Sequence, residues 1–158
     1  MKWEEKTVLV TGGNGFLGSA VINELQKKSP KKIISPSSKE IDLRINSNCK
    51  KIVRGVDIII HLAGKGGGIG IMREKPAEIF YDNIMISTQL IHEANCANVE
   101  KFLALGTVCS YPKFSPIPFA EENIWDGYPE ETNAAYGLSK KMMMVQSEAY
   151  RRQFGFRS

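Results

Sequence analysis

Apolar positions along this chain fall into short β-branched runs, separated by longer stretches in which they recur every three or four residues. Lys6–Thr11 is a strand-like run halted by glycine, and Lys32–Ile34 is a second run closed by Pro36. Ile41–Leu43 reads as a third short strand, Val56–Leu62 (VDIIIHL) as a strong buried strand, and Phe102–Thr107 as another. Phe16–Lys28 has helical spacing, with Leu17, Ala20, Val21 and Leu25 on one side and the breakers Ser29–Pro30 at its end. Ala77–Asn98 carries a long amphipathic helix with Ile84, Leu90, Ile91 and Ala94 inward, and Asn133–Phe154 is a final helix. Gly64–Gly70 is a glycine-rich loop, and Pro112–Thr132 is a proline-bearing excursion. Strands alternating with helices predict an α/β fold, a parallel sheet covered on both faces, with residues 1–158 forming one domain.

The join between the first strand and the first helix is the most informative stretch. It reads VTGGNGFLGSAV, with Gly12, Gly15 and Gly18 spaced three and three. A strand, such a turn and a helix together can hold a dinucleotide. Gly12 permits the tight turn, Gly15 lets backbone approach a pyrophosphate, and Gly18 lets helix and strand pack closely. The helix N-terminus then offers free N–H groups to the phosphates. The expected fold is therefore a Rossmann-type doubly wound sheet. After the second strand comes Ser35–Pro36–Ser37–Ser38–Lys39, and the only nearby acid, Glu40, lies well past the strand end. Small and basic groups there leave room for a 2′-phosphate, so Ser37, Ser38 and Lys39 predict NADP(H) rather than NAD.

Composition narrows the classes without changing the fold. The chain has 158 residues and a net charge of +4 with scattered Lys and Arg, which gives no nucleic-acid footprint. No apolar run approaches the length of a membrane span. Cys49, Cys96 and Cys109 are odd in number and show no CxxC or CxxH spacing, so no metal site is expected. They read as reduced thiols, and MKWEEK is no signal peptide, which predicts a cytoplasmic protein.

A second chemical signal lies in Ala135–Tyr136–Gly137–Leu138–Ser139–Lys140. Tyr136 and Lys140 are four apart on a helix and so share a face. A free phenol ionises near pH 10, and work near neutrality predicts a lowered value, which a neighbouring ammonium would supply. Thr107, at the end of the preceding strand, offers a hydroxyl toward the same crevice.

TGGNGFLG, the HLAG of His61–Gly64, GTVCSYP of Gly106–Pro112 and YGLSK of Tyr136–Lys140 together resemble the extended short-chain dehydrogenase/reductase family of nucleotide-sugar enzymes. The stretches Gly67–Asn83, Leu90–Ala94 and Ser110–Lys141 are similar, more narrowly, to its NADPH-dependent 3,5-epimerase/4-reductases acting on a GDP-4-keto-6-deoxy sugar. The resemblance implies that Tyr136 donates a proton to the C4 oxygen and that Lys140 lowers its pKa and holds the nicotinamide ribose. It also implies that Thr107 stands where the family usually has serine, and that Cys109 does acid/base work in epimerisation. The cofactor-lining set on this reading is Gly12, Gly15, Phe16, Leu17, Gly18, Ser37, Ser38, Lys39, Asp42, Leu62, Ala63, Gly64, Asn83 and Lys140. His61 and His92 are expected to be structural, since neither matches the family's catalytic histidine. Met142–Met143–Met144 is expected to fill the packed side of its helix, and the two long helices to pair in a homodimer. FGFRS looks like the approach to another strand, so the chain is expected to be an N-terminal portion that lacks the C-terminal strands and substrate domain. Such a portion would bind NADP(H) without completing the reaction.

Overall fold

The computed structural model describes residues 1–158. It contains four strands, β1 (Thr7–Thr11), β2 (Lys32–Ile34), β3 (Ile58–His61) and β4 (Lys101–Ala104). Five helices accompany them: α1 (Phe16–Gln26), α2 (Asn46–Ile52), α3 (Ile69–Glu74), α4 (Pro76–Cys96) and α5 (Ala134–Phe154). Two compact units are distinguished. The first comprises Met1–Gly64, Met85–Leu105 and Gln146–Ser158, and the second comprises Lys65–Ile84 and Gly106–Val145.

The first unit holds the whole sheet, in the order β2-β1-β3-β4 with every neighbouring pair parallel. β1 is buried at all five positions, as a strand with neighbours on both edges and cover on both faces must be. On one face Val8, Val10, Ile58 and Ile60 form a core with Leu25 of α1, with Trp3, Val21, Ile22, Ile33 and Leu62 packed around them. On the opposite face His61 reaches Ser87 of α4, and Phe102 packs on Phe156 with ring centroids 6.2 Å apart. The Phe102 N–H donates to the carbonyl of Arg157 at 2.9 Å, so the residues after α5 lie along the outer edge of β4. No helix is long and apolar enough to cross a membrane.

The doubly wound parallel sheet matches the expected fold class, and five local expectations need correction. The strand expected over Phe102–Thr107 is β4, which ends at Ala104, so Thr107 caps the next turn instead of ending a strand. Ile41–Leu43 is not a strand. Asp42 turns its carboxylate back onto the backbone N–H and guanidinium of Arg44, which fixes a turn where a strand would need an extended chain. In α1 the inward residues are Gly18, Val21, Ile22 and Leu25, whereas Leu17 and Ala20 are exposed. Gly18 must face the preceding turn, and that rotates the whole helical stripe by about one position. The loop expected over Gly64–Gly70 ends early, because Ile69 opens the short helix α3. In the methionine run only Met143 is buried, and Met142 and Met144 point outward.

Candidate functional site

The glycine turn after β1 is shaped by close backbone approach. Gly12 has φ +72, and a Cβ there would lie 2.8 Å from the Ala63 nitrogen. A Cβ on Gly18 would come within 2.2 Å of the Gly12 carbonyl oxygen, so only glycine lets the first turn of α1 press onto the bend. Gly15 precedes α1 and no side chain caps the helix there, which leaves its first N–H groups facing outward. Phe16, the first helical residue, is 99% exposed, and Leu17 is exposed beside it. An uncapped helix start behind a bare-backbone bend is the geometry that receives phosphates.

The loop after β3 is tied to this turn through Thr11. Its Oγ1 accepts from the Ala63 N–H at 3.2 Å and lies 2.7 Å from His61 Nδ1, while His61 Nε2 lies 3.2 Å from Ser87 Oγ. Buried His61 thus holds Thr11, and Thr11 holds Ala63 against Gly12. That is a structural role, as expected for this histidine. Leu62 and Ala63 are half-buried, and Gly64 is exposed beside them. These residues sit where the strand order reverses between β1 and β3, the place at which doubly wound sheets bind ligands.

Beyond β2, the Glu40 carboxylate accepts from both the backbone N–H and the hydroxyl of Ser37, at 2.8 and 2.7 Å. Those bonds hold its carboxyl below the usual range. The one nearby acid is therefore spent on its own turn. Ser38 and Lys39 are exposed, whereas Asp42 is engaged by Arg44, whose hydrogen bonds likewise keep the Asp42 carboxyl low. Ser35, one residue past β2, has its Oγ buried against the glycine turn, where a Cβ on Gly13 would stand 1.9 Å from it.

In the second unit Asn83 is almost fully buried, and its amide is consumed. Its Oδ1 accepts from the Lys65 N–H, and its Nδ2 donates to the carbonyls of Lys65 and Ile79. Lys65 Nζ also pairs with Asp82 at 2.7 Å, which raises the ammonium pKa. Asn83 therefore fixes the loop backbone and has no donor left over for a ligand.

The same unit gathers Thr107, Cys109 and Tyr136. Thr107 Oγ1 accepts from the Cys109 N–H at 3.2 Å, capping a short 3-10 turn over Val108–Ser110. The Tyr136 phenol lies above its ordinary value of 10, chiefly through burial and secondly through the charge of Cys109, while a hydrogen bond with Thr107 pulls the other way. This corrects the expectation of a lowered phenol. Lys140 is not among the groups acting on Tyr136; it is only 4% exposed, and burial lowers its own pKa.

Gly137 and Ser110 were missed in the sequence, although they decide this geometry. A Cβ on Gly137 would stand 2.0 Å from the Cys109 carbonyl oxygen, and Ser110 Oγ donates to the Gly137 carbonyl at 2.9 Å. The glycine inside YGLSK is the signal that could have found them. The neighbouring Lys141 is also buried, its pKa lowered by burial, with its ammonium 4.3 Å above the Trp125 ring.

A parallel sheet with a bare-backbone bend at its switch point defines a dinucleotide-fold protein. Residues 8–158 match the NAD dependent epimerase/dehydratase family, and the chain belongs to it. The GDP-L-fucose synthase of Escherichia coli K12 is 31% identical over 96% of this chain and 48% of its own length. GDP-mannose 3,5-epimerase 1 of Oryza sativa subsp. japonica is 30% identical, over 96% of this chain and 44% of its own. The solved GDP-L-fucose synthetase of Naegleria fowleri bound to NADP superposes with a TM-score of 0.86 at 26% identity, covering 97% of this chain and 50% of that one. The chain thus spans about half the length of the relatives it matches.

Proposed function

We propose that the protein carrying this chain is an NADPH-dependent epimerase/reductase that converts GDP-4-keto-6-deoxy-D-mannose to GDP-L-fucose, working in the cytoplasm. The observation that carries this reading is the Thr107–Cys109–Tyr136 group, in which a thiol and a protonated phenol are held by one turn and one helix. Two proton-moving groups suit two kinds of step, inversion beside a ketone and protonation of a carbonyl oxygen. Cys109 would exchange protons at the carbons flanking the ketone. Tyr136, kept protonated chiefly by burial, would give its proton to the C4 oxygen. Thr107 orients the phenol, and Lys140 is the residue offered to the nicotinamide ribose. NADPH, when bound, supplies the hydride. Gly12, Gly15 and Gly18 with the N–H groups of Phe16 and Leu17 would hold its pyrophosphate, and Ser38 and Lys39, beside Ser37, the 2′-phosphate. Glu40, already engaged by Ser37, would not compete for a ribose hydroxyl.

A second reading is favoured by the comparable likeness to the rice GDP-mannose 3,5-epimerase, in which inversion would occur without net consumption of NADPH. Incubation of the whole protein with the 4-keto sugar plus NADPH, and separately with GDP-mannose, separates the two. Stoichiometric loss of NADPH absorbance, abolished in Tyr136→Phe and retained without C3 and C5 inversion in Cys109→Ser, supports the reductase. Inversion with no NADPH loss supports the epimerase, and neither product overturns both. Homodimerisation would run through the two long helices, α4 and α5, with Met142 and Val145 exposed on one face of α5. Val145→Glu should convert a dimer to a monomer in sedimentation.

A further inference from the structure

Away from the glycine turn and the Cys109 cluster, α4 and α5 bring together three side chains to which the reading above gives no work. His92 and Cys96 are four apart on α4, hence on one face, and Cys96 Sγ lies 3.7 Å from His92 Nε2. The other ring nitrogen, His92 Nδ1, lies 2.9 Å from the hydroxyl of Tyr150 on α5. The His92 and Tyr150 rings meet edge to face at 6.2 Å, and Tyr150 is in turn braced by Phe154 with centroids 5.3 Å apart. His92 and Cys96 are both exposed, and the thiol is free. A nucleophile within reach of a base, with the base oriented by a third group, is the arrangement that activates a thiol. Cys49 offers the contrast: it is buried, its Sγ points at the Leu43 carbonyl, and burial pushes its thiol up to about 12.

We propose that Cys96 is a reactive thiol that undergoes exchange with small-molecule disulfides, with His92 as its proton acceptor and Tyr150 as the residue that positions the imidazole. Donation from His92 Nδ1–H to the Tyr150 oxygen leaves the Nε2 lone pair facing the thiol. Cys96 passes its proton to Nε2, and the resulting thiolate attacks one sulfur of the disulfide. The original S–S bond breaks as the new one forms. The departing thiolate then takes the proton back from the imidazolium. Cys96 is oxidised, the departing sulfur is reduced, and the disulfide is the only oxidant required.

This inference is independent of the sugar-nucleotide reading, because it needs neither cofactor nor turnover. The test treats the full chain with 5,5′-dithiobis(2-nitrobenzoate) and follows each cysteine by release of the chromophore and peptide mass. Cys96 should be modified, with that phase missing in Cys96→Ser. In His92→Gln, which keeps a good helix former at an exposed position, the Cys96 rate should fall roughly tenfold. Tyr150→Phe should slow it by a smaller factor, and serves as the second arm if His92→Gln loses its circular dichroism. An unmodified Cys96, or a rate unchanged in a folded His92→Gln, overturns the proposal.

Discussion

Alanine at residue 137 would ordinarily strengthen a helix by about 1 kcal/mol. In α5 its methyl would be driven to 2.0 Å from the Cys109 carbonyl oxygen, and backbone on both sides leaves nothing flexible to yield. Overpacking of this kind costs about 1–3 kcal/mol and so outweighs the gain. Gly137→Ala should therefore lower the urea midpoint and shift the Cys109 turn, visible as altered amide shifts at Val108–Ser110. Ser110→Ala, which removes only the bond to the Gly137 carbonyl, should cost about 1 kcal/mol and leave Cys109 in place. A second residue-scale prediction follows from Cys49, whose folded thiol stands at about 12, raised first by burial and then by Glu93 and Asp42. The folded state keeps a proton that the unfolded chain loses above about pH 9, so this thiol's contribution falls as pH rises from about 9 toward 12. The stability gap between wild type and Cys49→Ala should narrow by about 1.4 kcal/mol between pH 7 and pH 10. Single residues were unevenly legible. Gly12 and Gly18 could be read because their spacing has one physical use. Ser35 could not, since its hydroxyl is buried only once Gly13 is packed against it. The direction of the Tyr136 shift also escaped, because i,i+4 spacing gives a shared face but says nothing about how far the phenol itself is buried.

At the scale of elements, Asn83 ties the loop after β3 to α4 with two hydrogen bonds to Lys65, and a third from the same amide reaches Ile79 within α4. Asn83→Ala would strand the Lys65 N–H and carbonyl, at a cost of about 1–3 kcal/mol for the groups left unsatisfied. Hydrogen exchange should then show faster exchange confined to the loop around Lys65, with the β1–β3 pairing still protected. Unchanged protection at Lys65 would contradict the role given to Asn83. The elements themselves were read well where the pattern was long or β-branched, as for β1, β3, α4 and α5. The failures have separate causes, each invisible to a count of apolar periodicity. Ile41–Leu43 has strand-like residues but is bent by Asp42 and Arg44. α1 has the expected span, yet the demand that Gly18 meet the turn carries Leu17 and Ala20 out to solvent. α2 was not anticipated at all, since seven residues reading NSNCKKI carry too few apolar positions to show a period.

For the molecule as a whole, topology and chemistry point the same way. The sheet reverses its order between β1 and β3, and at that point lie a bend only glycine can make and an uncapped helix start. Together they fit one elongated anionic molecule. The most direct measurement is titration of the folded 158-residue chain with NADPH and NADH, followed by nicotinamide fluorescence, with circular dichroism to show that the fold is present. Binding should be saturable and tighter for NADPH than for NADH. A folded chain that leaves NADPH fluorescence unchanged up to millimolar concentrations would contradict it.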